Sequence, residues 1–576
     1  MGPNPSGSAW RGWTLLAVGL AGVVFFYPLL LAPHIPIIDP DEGLHAAIAQ
    51  EMVERGDWIV PRFLGTPFLD KPVFYFWAQA LSLKCLGMSE AAIRLPGLFF
   101  GLLGAVTTMA LAWRMLGRVT GLLAGLFYMT SVLPTALAQV PVHDVALVPW
   151  VNLALLCCWE SDTARSYPAA LAMALPAGLV LGLAILTKGL VGVALVALAF
   201  GGYLLLARRL RAANWLFAAM ALVVACLVAS AWYLAVERQN PGYLRYFILE
   251  RHLLAFATGT QRHGHAPWWY YLPILVGGGM PWIAYLPILV EEQWRQRRHS
   301  AEARRQDRPP RPLLLAGWWL LGSTLLLSVA HSKLITYLWP VFPAVAILVA
   351  ALWARRLEGR LSPRARQAIS QTVWWTCLAG PLTMPVLCRV VQWEFSLELS
   401  RMEWLVAALT SLAAMVPLWA WLAGRVRTTL TLGTLATAMH FVVIMTMIMP
   451  RVATGKTARP LAEHFNRLDR FPPRLVVTDS RIGSFFFYLK PDHRLGLLED
   501  RTLMVDLQQA ADRLPDEGEM LIVPEWRFYR LLQAPRERYF DLYGADYQWA
   551  GRYRVYGVSR LEEARNPWPD AAVQRR

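Results

Sequence analysis

The chain has 576 residues, 56% of them hydrophobic and 16% charged, and a formal net charge of +16. A mean hydropathy of +0.38 excludes an ordinary soluble globular protein. The charge would suit a nucleic-acid partner, but its distribution argues against one. Only six of the 55 basic residues are Lys, and Arg gathers in particular loops: three at 208–211, seven at 291–311 and five at 354–370. Arg-rich loops of this kind face the cytoplasm and anionic lipid, so no nucleic acid is expected.

A membrane span needs about 20 mostly apolar residues. In chain order such stretches fall near 13–32, 92–113, 119–138, 144–159, 168–186, 189–207, 214–235, 268–290, 312–330, 336–353, 371–391, 403–424 and 428–449. That is about thirteen, with 168–207 hard to divide because only Thr187, Lys188 and Gly189 separate its two halves. The first stretch lacks a clear small-residue cleavage site and reads as a retained anchor. An odd count puts the N-terminus in the cytoplasm. The loops 33–91 and 236–267 and the tail after Pro450 then lie on the outer face. The six Cys form no disulfide framework or zinc-finger spacing.

The outer loop at 33–91 carries eight acids (Asp39, Asp41, Glu42, Glu51, Glu54, Asp57, Asp70, Glu90) and four bases. Carboxylates against a bilayer are costly unless paired or used. Leu44, Ile48 and Met52 form a helical stripe over about fifteen residues. Phe74, Trp77 and Leu81 form a second stripe after Pro72. Both helices are too short to span, and amphipathic helices of this length lie in the interface plane. They would roof the outer ends of the spans.

Beyond Pro450 the composition turns polar. Strand-like runs at 474–479 and 520–525, an alternating stretch at 547–560 that suits a hairpin, and helical stretches near 457–469 and 502–513 predict a small α/β domain.

Asp41 and Glu42 open the first outer helix. They suit an N-terminal cap, or a carboxylate facing a reacting centre. Asp144, beside His143, begins the fourth span and is open to the same two readings. Lys71, Lys333, Arg251 and His252 bring positive charge to the outer face. In a chain that has nearly replaced Lys by Arg, Lys71 and Lys333 suit a phosphate, whereas Lys84 suits interfacial snorkelling. His252, His263 and His265 cluster before the eighth span. With Asp70 as an oxygen ligand they would form a divalent-metal site, although His-x-His is a weak signal. No cofactor is otherwise indicated. There is no P-loop, dinucleotide fingerprint or nucleophile elbow, so an activated donor would arrive through the lipid.

An acidic pair after the first span, Asp70-Lys71-Pro72, Asp144, the His residues before Pro-Trp-Trp-Tyr-Tyr, and Ser-Lys-Leu-x-x-Tyr at 332–337 follow one another in order. This pattern resembles the bacterial polyprenyl-phosphate-dependent glycosyltransferases of the GT-C fold. Within them it is most similar to the lipid A aminoarabinose (4-amino-4-deoxy-L-arabinose) transferases, relatives of protein O-mannosyltransferases. The resemblance implies a polytopic α-helical membrane protein, with a transmembrane domain at 1–450 that includes the loop 33–91 and an outer-face α/β domain at 451–576. It implies a catalytic role for Asp41 with Glu42 beside it, and Asp144 as the second functional acid. Lys71 would contact the donor phosphate, Asp70 would stand where an acid can bind metal, and His252 would match the family His. Lys333 and Tyr337 would line the lipid-phosphate path, with Arg251 adding charge.

The implied reaction moves a sugar from an undecaprenyl monophosphate carrier to lipid A, or to another envelope acceptor, at the periplasmic face of the inner membrane. The chain departs from the aminoarabinose transferases at His45, where they carry Tyr, and at Ala255, where they carry Arg. A protein or glycan hydroxyl is the alternative acceptor. A flippase or transporter is the alternative of another class, but it would favour charges midway along spans and paired broken helices.

Overall fold

The computed structural model describes residues 7–254, 266–299, 310–330, 332–395, 398–467, 475–478, 482–498, 502–505, 520–524, 539–541 and 553–558. The chain divides into two compact units. One comprises Met1–Leu30, Leu69–Tyr75 and Arg94–Thr446; the other comprises Leu31–Phe68, Phe76–Ile93 and Met447–Arg576.

The first unit is helical. Among the described residues of the chain nine helices are long and apolar enough to cross a membrane, from Gly12–His34 to Val426–Thr454. A tenth candidate is the pair Tyr271–Gly278 and Trp282–Gln296, bent by 99°. All thirteen expected stretches fall on helices, but three fail the length or composition test. Those at 119–138 and 189–207 contain the shorter helices Arg118–Met129 and Val191–Ala207. The stretch at 371–391 lies within the helix Pro363–Phe395, which contains Pro381 and Pro385. Among the described residues nine or ten of the thirteen stretches thus meet these criteria.

Polar side chains tie this helical core together. Asn152 donates to Thr107 Oγ1 and Thr108 Oγ1, each at 3.0 Å. Trp282, just past the bend, stacks on Phe127 with ring centroids 4.1 Å apart and donates to Thr130 Oγ1 at 2.8 Å. The helices Ala174–Lys188 and Ala212–Gln239 meet through small residues. A Cβ on Gly182 would stand 2.6 Å from Val228 Cβ and 3.1 Å from the Ala225 carbonyl. Small residues let helix backbones approach where no hydrophobic force drives them together.

In the second unit the helix Asp41–Arg55 has the expected length. Its stripe of Leu44, Ile48 and Met52 is buried, but so is every residue from Glu42 to Met52. Burial on all faces exceeds what an amphipathic stripe predicts. The helix Phe74–Leu86 differs from expectation in its facing. Tyr75, Phe76, Gln79, Ala80 and Leu83 are buried, whereas Leu81 is 57% exposed. Four consecutive aromatic residues at 74–77 give no unique phase, so packing chose the face.

Strands β1 (Arg62–Phe63) and β2 (Thr66–Pro67) form a two-residue hairpin through Leu64 and Gly65. Both turn residues have positive φ, at 52° and 78°. That is the geometry whose twist matches paired strands. The Glu51 carboxylate holds the turn, accepting from the Gly65 N–H at 2.9 Å and from Arg55 Nε at 2.7 Å. Burial outweighs these bonds and pushes the Glu51 carboxyl above its ordinary value of 4.5. A raised acid favours the folded state below the unfolded value, and that contribution is lost as pH rises through the folded value. Glu51→Gln keeps an acceptor but cannot ionise. Its stability relative to wild type is therefore expected to improve as pH rises from about 4.5 towards neutrality, as read from thermal unfolding in detergent across that range.

The C-terminal segment contributes a five-stranded sheet in the order β4-β3-β5-β7-β6. Its strands are β3 (Leu475–Thr478), β4 (Thr502–Val505), β5 (Met520–Pro524), β6 (Tyr539–Asp541) and β7 (Tyr553–Val558). β3 pairs in parallel with β4 and β5, and β7 pairs antiparallel with β5 and β6. β3 and β5 lie where the sequence predicts strands, and the helix Arg459–Phe465 lies within 457–469. The helix expected near 502–513 is corrected at its start. Residues Thr502–Val505 are a strand, because pairing along β3 overrides a weak helical period. Residues 506–513 lie outside the described residues. The expected hairpin at 547–560 is described only as β7, whose partners β5 and β6 both lie elsewhere in the chain.

Side chains join the two ends of this unit. Tyr488 Oη donates to Glu90 at 2.8 Å and accepts from the Ile37 N–H at 2.9 Å. Arg459 meets Glu90 at 3.1 Å. Arg494 pairs with Glu54, with Nε to Oε2 at 3.0 Å. Residues 31–68 thus pack as one body with the segment after Met447.

Candidate functional site

In the first unit, Asp144 is the second residue of the helix His143–Thr163, and Lys188 is the last residue of Ala174–Lys188. A helix N-terminus favours an anion and a C-terminus a cation, so each charge sits where its own helix tolerates it. Gly189, with φ 71°, ends the second helix directly after Lys188. The two side chains form a buried ion pair, and Lys188 Nζ also lies 4.1 Å from the ring centroid of Tyr337. Asp144, Lys188 and Tyr337 therefore make one cluster. A buried carboxylate is tolerated only when paired in this way.

The segment carrying Tyr337 is held from two sides. Tyr271 Oη donates to the Leu334 carbonyl at 3.2 Å. Lys333 is buried and gives its ammonium protons to the Ala330 and Ala266 carbonyls at 2.6 and 3.1 Å. Among the described residues those two carbonyls take two of the three donors on the ammonium group.

Asp70 accepts from Tyr246 Oη at 2.9 Å, and Lys71 follows it, half-buried. Tyr246 belongs to the helical segment Arg245–Leu254, which also bears Arg251 and His252. An aromatic cluster of Trp232, Tyr233, Tyr243 and Phe247 anchors this segment to the preceding helix. Glu237 closes the intervening turn by accepting from the Gly242 and Leu244 N–H groups at 2.9 and 2.7 Å. His263 and His265 lie outside the described residues. Among the described residues no group of three or more His, Cys, Asp or Glu side chains could hold a metal ion. Of the four expected ligands, only Asp70 has a described side chain.

In the second unit Asp41 and Glu42 take different positions. The Glu42 carboxylate turns back to accept from the Ile38 N–H at 2.9 Å and is buried, which makes it a helix-start cap. Asp41, the first residue of its helix, is exposed, and among the described residues no hydrogen bond or ion pair engages its carboxylate. His45 is buried, reaches the Asp41 carbonyl through Nδ1 at 2.6 Å and stacks on Phe76 with centroids 5.4 Å apart.

The sequence points to Asp144, Lys71, Lys333 and Tyr337 and assigns no role to Lys188 or Tyr246. Lys188 carried a readable signal. It interrupts an apolar run, where an unpaired ammonium would be costly. Tyr246 carried none.

This helix architecture, with a buried ion pair set at helix ends, defines the chain as a polytopic α-helical membrane protein. Residues 70–233 match the dolichyl-phosphate-mannose-protein mannosyltransferase family. The chain is similar to the undecaprenyl phosphate-alpha-4-amino-4-deoxy-L-arabinose arabinosyl transferase of Edwardsiella ictaluri. The two are 33% identical over 349 residues, 60% of each chain. It is 32% identical to the enzyme of the same name from Aeromonas salmonicida over 368 residues, 63% of this chain and 64% of that one. These matches span about 60% of the length of the curated relatives. Its fold is shared with the crystal structure of ArnT from Cupriavidus metallidurans bound to undecaprenyl phosphate. The TM-score is 0.72 at 23% identity, covering 96% of this chain and 99% of that one. The resemblance to the aminoarabinose transferases, first carried by short motifs, therefore extends over more than half of the sequence.

Proposed function

We propose that this chain transfers 4-amino-4-deoxy-L-arabinose from an undecaprenyl phosphate carrier to a lipid A phosphate at the periplasmic face of the bacterial inner membrane. The similarity to relatives bearing that transferase name over about 60% of the chain carries this reading. In the reaction the bond between the sugar C1 and the carrier phosphate breaks, and its electron pair stays on the phosphate oxygen. A lipid A phosphate oxygen forms the new bond to C1. A diester monoanion and a monoester dianion yield the same two charge types, so no net proton need move.

What the protein must supply is neutralisation of the departing phosphate and alignment of the acceptor. Lys71 suits the first task, with Lys333 and Tyr337 on the lipid-phosphate path and Arg251 adding charge. Asp41, exposed and with its carboxylate unengaged among the described residues, suits the second by orienting the amino sugar or the acceptor. Asp144 is paired with Lys188. The N-terminus is assigned to the cytoplasm and residues 451–576 to the periplasm, on the distribution of Arg among the loops.

The test is mass spectrometry of lipid A from cells with and without the gene, under conditions that induce lipid A modification. Loss of the aminoarabinose mass on deletion, and its return on complementation, is the expected result. Unchanged lipid A would overturn the acceptor assignment.

The mannosyltransferase match at 70–233 favours a second reading, in which the acceptor is a protein or glycan hydroxyl. The hydroxyl proton must then leave, and Asp41 becomes its general base. Unchanged lipid A, together with loss of a hexose or pentose mass from envelope proteins or glycans, would select this reading.

A further inference from the structure

We infer that the junction of Asp39 with Ser484 positions the Asp41 carboxylate, so that the C-terminal segment takes part in setting the reaction geometry. The inference rests on the reading of Asp41 as the acid that orients sugar or acceptor.

Asp41 cannot be oriented by its own cap. The residue before it is Pro40, which makes no side-chain capping bond. The direction in which the helix starts therefore depends on the chain at 37–39. Every amide there is committed: the Ile37 N–H to Tyr488 Oη at 2.9 Å, that of Ile38 to Glu42 Oε2 at 2.9 Å, and that of Asp39 to the Lys456 carbonyl at 2.9 Å. Two of the three acceptors come from beyond Met447.

Asp39 adds the strongest tie. Asp39 is 7% exposed, and its carboxylate accepts from the Ser484 N–H at 2.9 Å through Oδ1. Its Oδ2 accepts from the Ser484 hydroxyl. The same hydroxyl, on a residue with no exposed surface, accepts from the Ala458 N–H at 2.9 Å. One buried serine thus joins three segments, 37–44, 456–458 and 483–484. A carboxylate on N–H and O–H donors is a charge-assisted contact, shorter and stronger than a neutral one.

Sterics reinforce the junction. A Cβ on Gly43 would collide with Asp39 Oδ1 and the Ser484 nitrogen, and one on Gly483 would collide with the Gly43 backbone. Only glycine at both positions lets the two backbones meet so closely. The approach fixes residues 39–43 on both sides of Asp41. Neither Asp39 nor Ser484 need touch substrate, so both are positioning residues.

The test compares full-length wild type, Ser484→Ala, Glu54→Gln and Asp41→Asn, purified in detergent. They are assayed with undecaprenyl phosphate-aminoarabinose and lipid A at several donor concentrations, with activity normalised to folded protein. Ser484→Ala is expected to lower kcat about 10- to 100-fold, the loss that a misplacement of about 1 Å can cause, with the donor KM within about twofold of wild type. Glu54→Gln breaks the tie to Arg494 at the far end of the same helix and is expected to lower the unfolding midpoint with kcat unchanged.

A kcat for Ser484→Ala within about twofold of wild type overturns the inference, whatever its stability. So does an equal loss of kcat in Glu54→Gln, which would make the effect one of general loosening. Should Ser484→Ala fail to accumulate, Asp39→Asn takes its place. It keeps the size and one acceptor, is expected to lose kcat several-fold, and overturns the inference if it loses none. Full activity in Asp41→Asn would instead overturn the reading of Asp41 itself, a result separable from the behaviour of Ser484.

Discussion

Replacing Asp41 with Asn is expected to reduce sugar transfer by about 10²–10⁴-fold if Asp41 is the acid that aligns or deprotonates the acceptor. The expectation follows from the contrast between two neighbours. Glu42 is buried and accepts from the Ile38 N–H. Asp41 is exposed, with its carboxylate unengaged among the described residues. The same exposure limits the structural cost. An exposed acid at a helix start contributes a few tenths to about 1 kcal/mol through the helix dipole. The variant should therefore accumulate normally and unfold within a few degrees of wild type. Transfer measured in membranes alongside thermal unfolding separates the two effects. Activity close to wild type would remove Asp41 from the reaction.

Removing Lys188 is expected to have the largest effect on stability. Lys188→Met strips Asp144 of its partner in a buried setting, where breaking one side of an ion pair costs about 3–5 kcal/mol. The methionine fills much of the volume, so the loss reflects the stranded charge more than a cavity. Adding Asp144→Asn to Lys188→Met should recover most of the stability, because no uncompensated charge remains. Transfer should stay low in the double variant if the Asp144 carboxylate is needed for chemistry. A double variant that regains both stability and transfer would make the pair a structural tie and nothing more. Unfolding midpoints and transfer rates on the four members of this cycle decide between the two.

The pairing of Lys188 with Asp144 also shows where sequence reading stops. Each residue was visible alone, as a charge in or beside an apolar stretch. Their union was not, because 44 residues and a helical turnaround separate them. Tyr337 enters the same cluster from a third segment. Asp70 is a similar case: its hydrogen bond comes from the Tyr246 hydroxyl, on a residue 176 positions away, and no local pattern points to that partner.

Hydropathy and short-range period are local properties, and they settled what is local. The sequence by itself determined that the chain is a polytopic membrane protein, that residues 41–55 form a helix, that β3 and β5 are strands, and that acids and lysines of unusual placement deserved scrutiny. The tertiary structure alone decided which face of Phe74–Leu86 is buried, that Thr502–Val505 joins a sheet, and that Lys188 neutralises Asp144. It alone joined Asp39 to Ser484, 445 residues apart. The reason is physical. A buried charge or a paired strand takes its stability from a partner, and chain distance carries no information about which partner folding will bring.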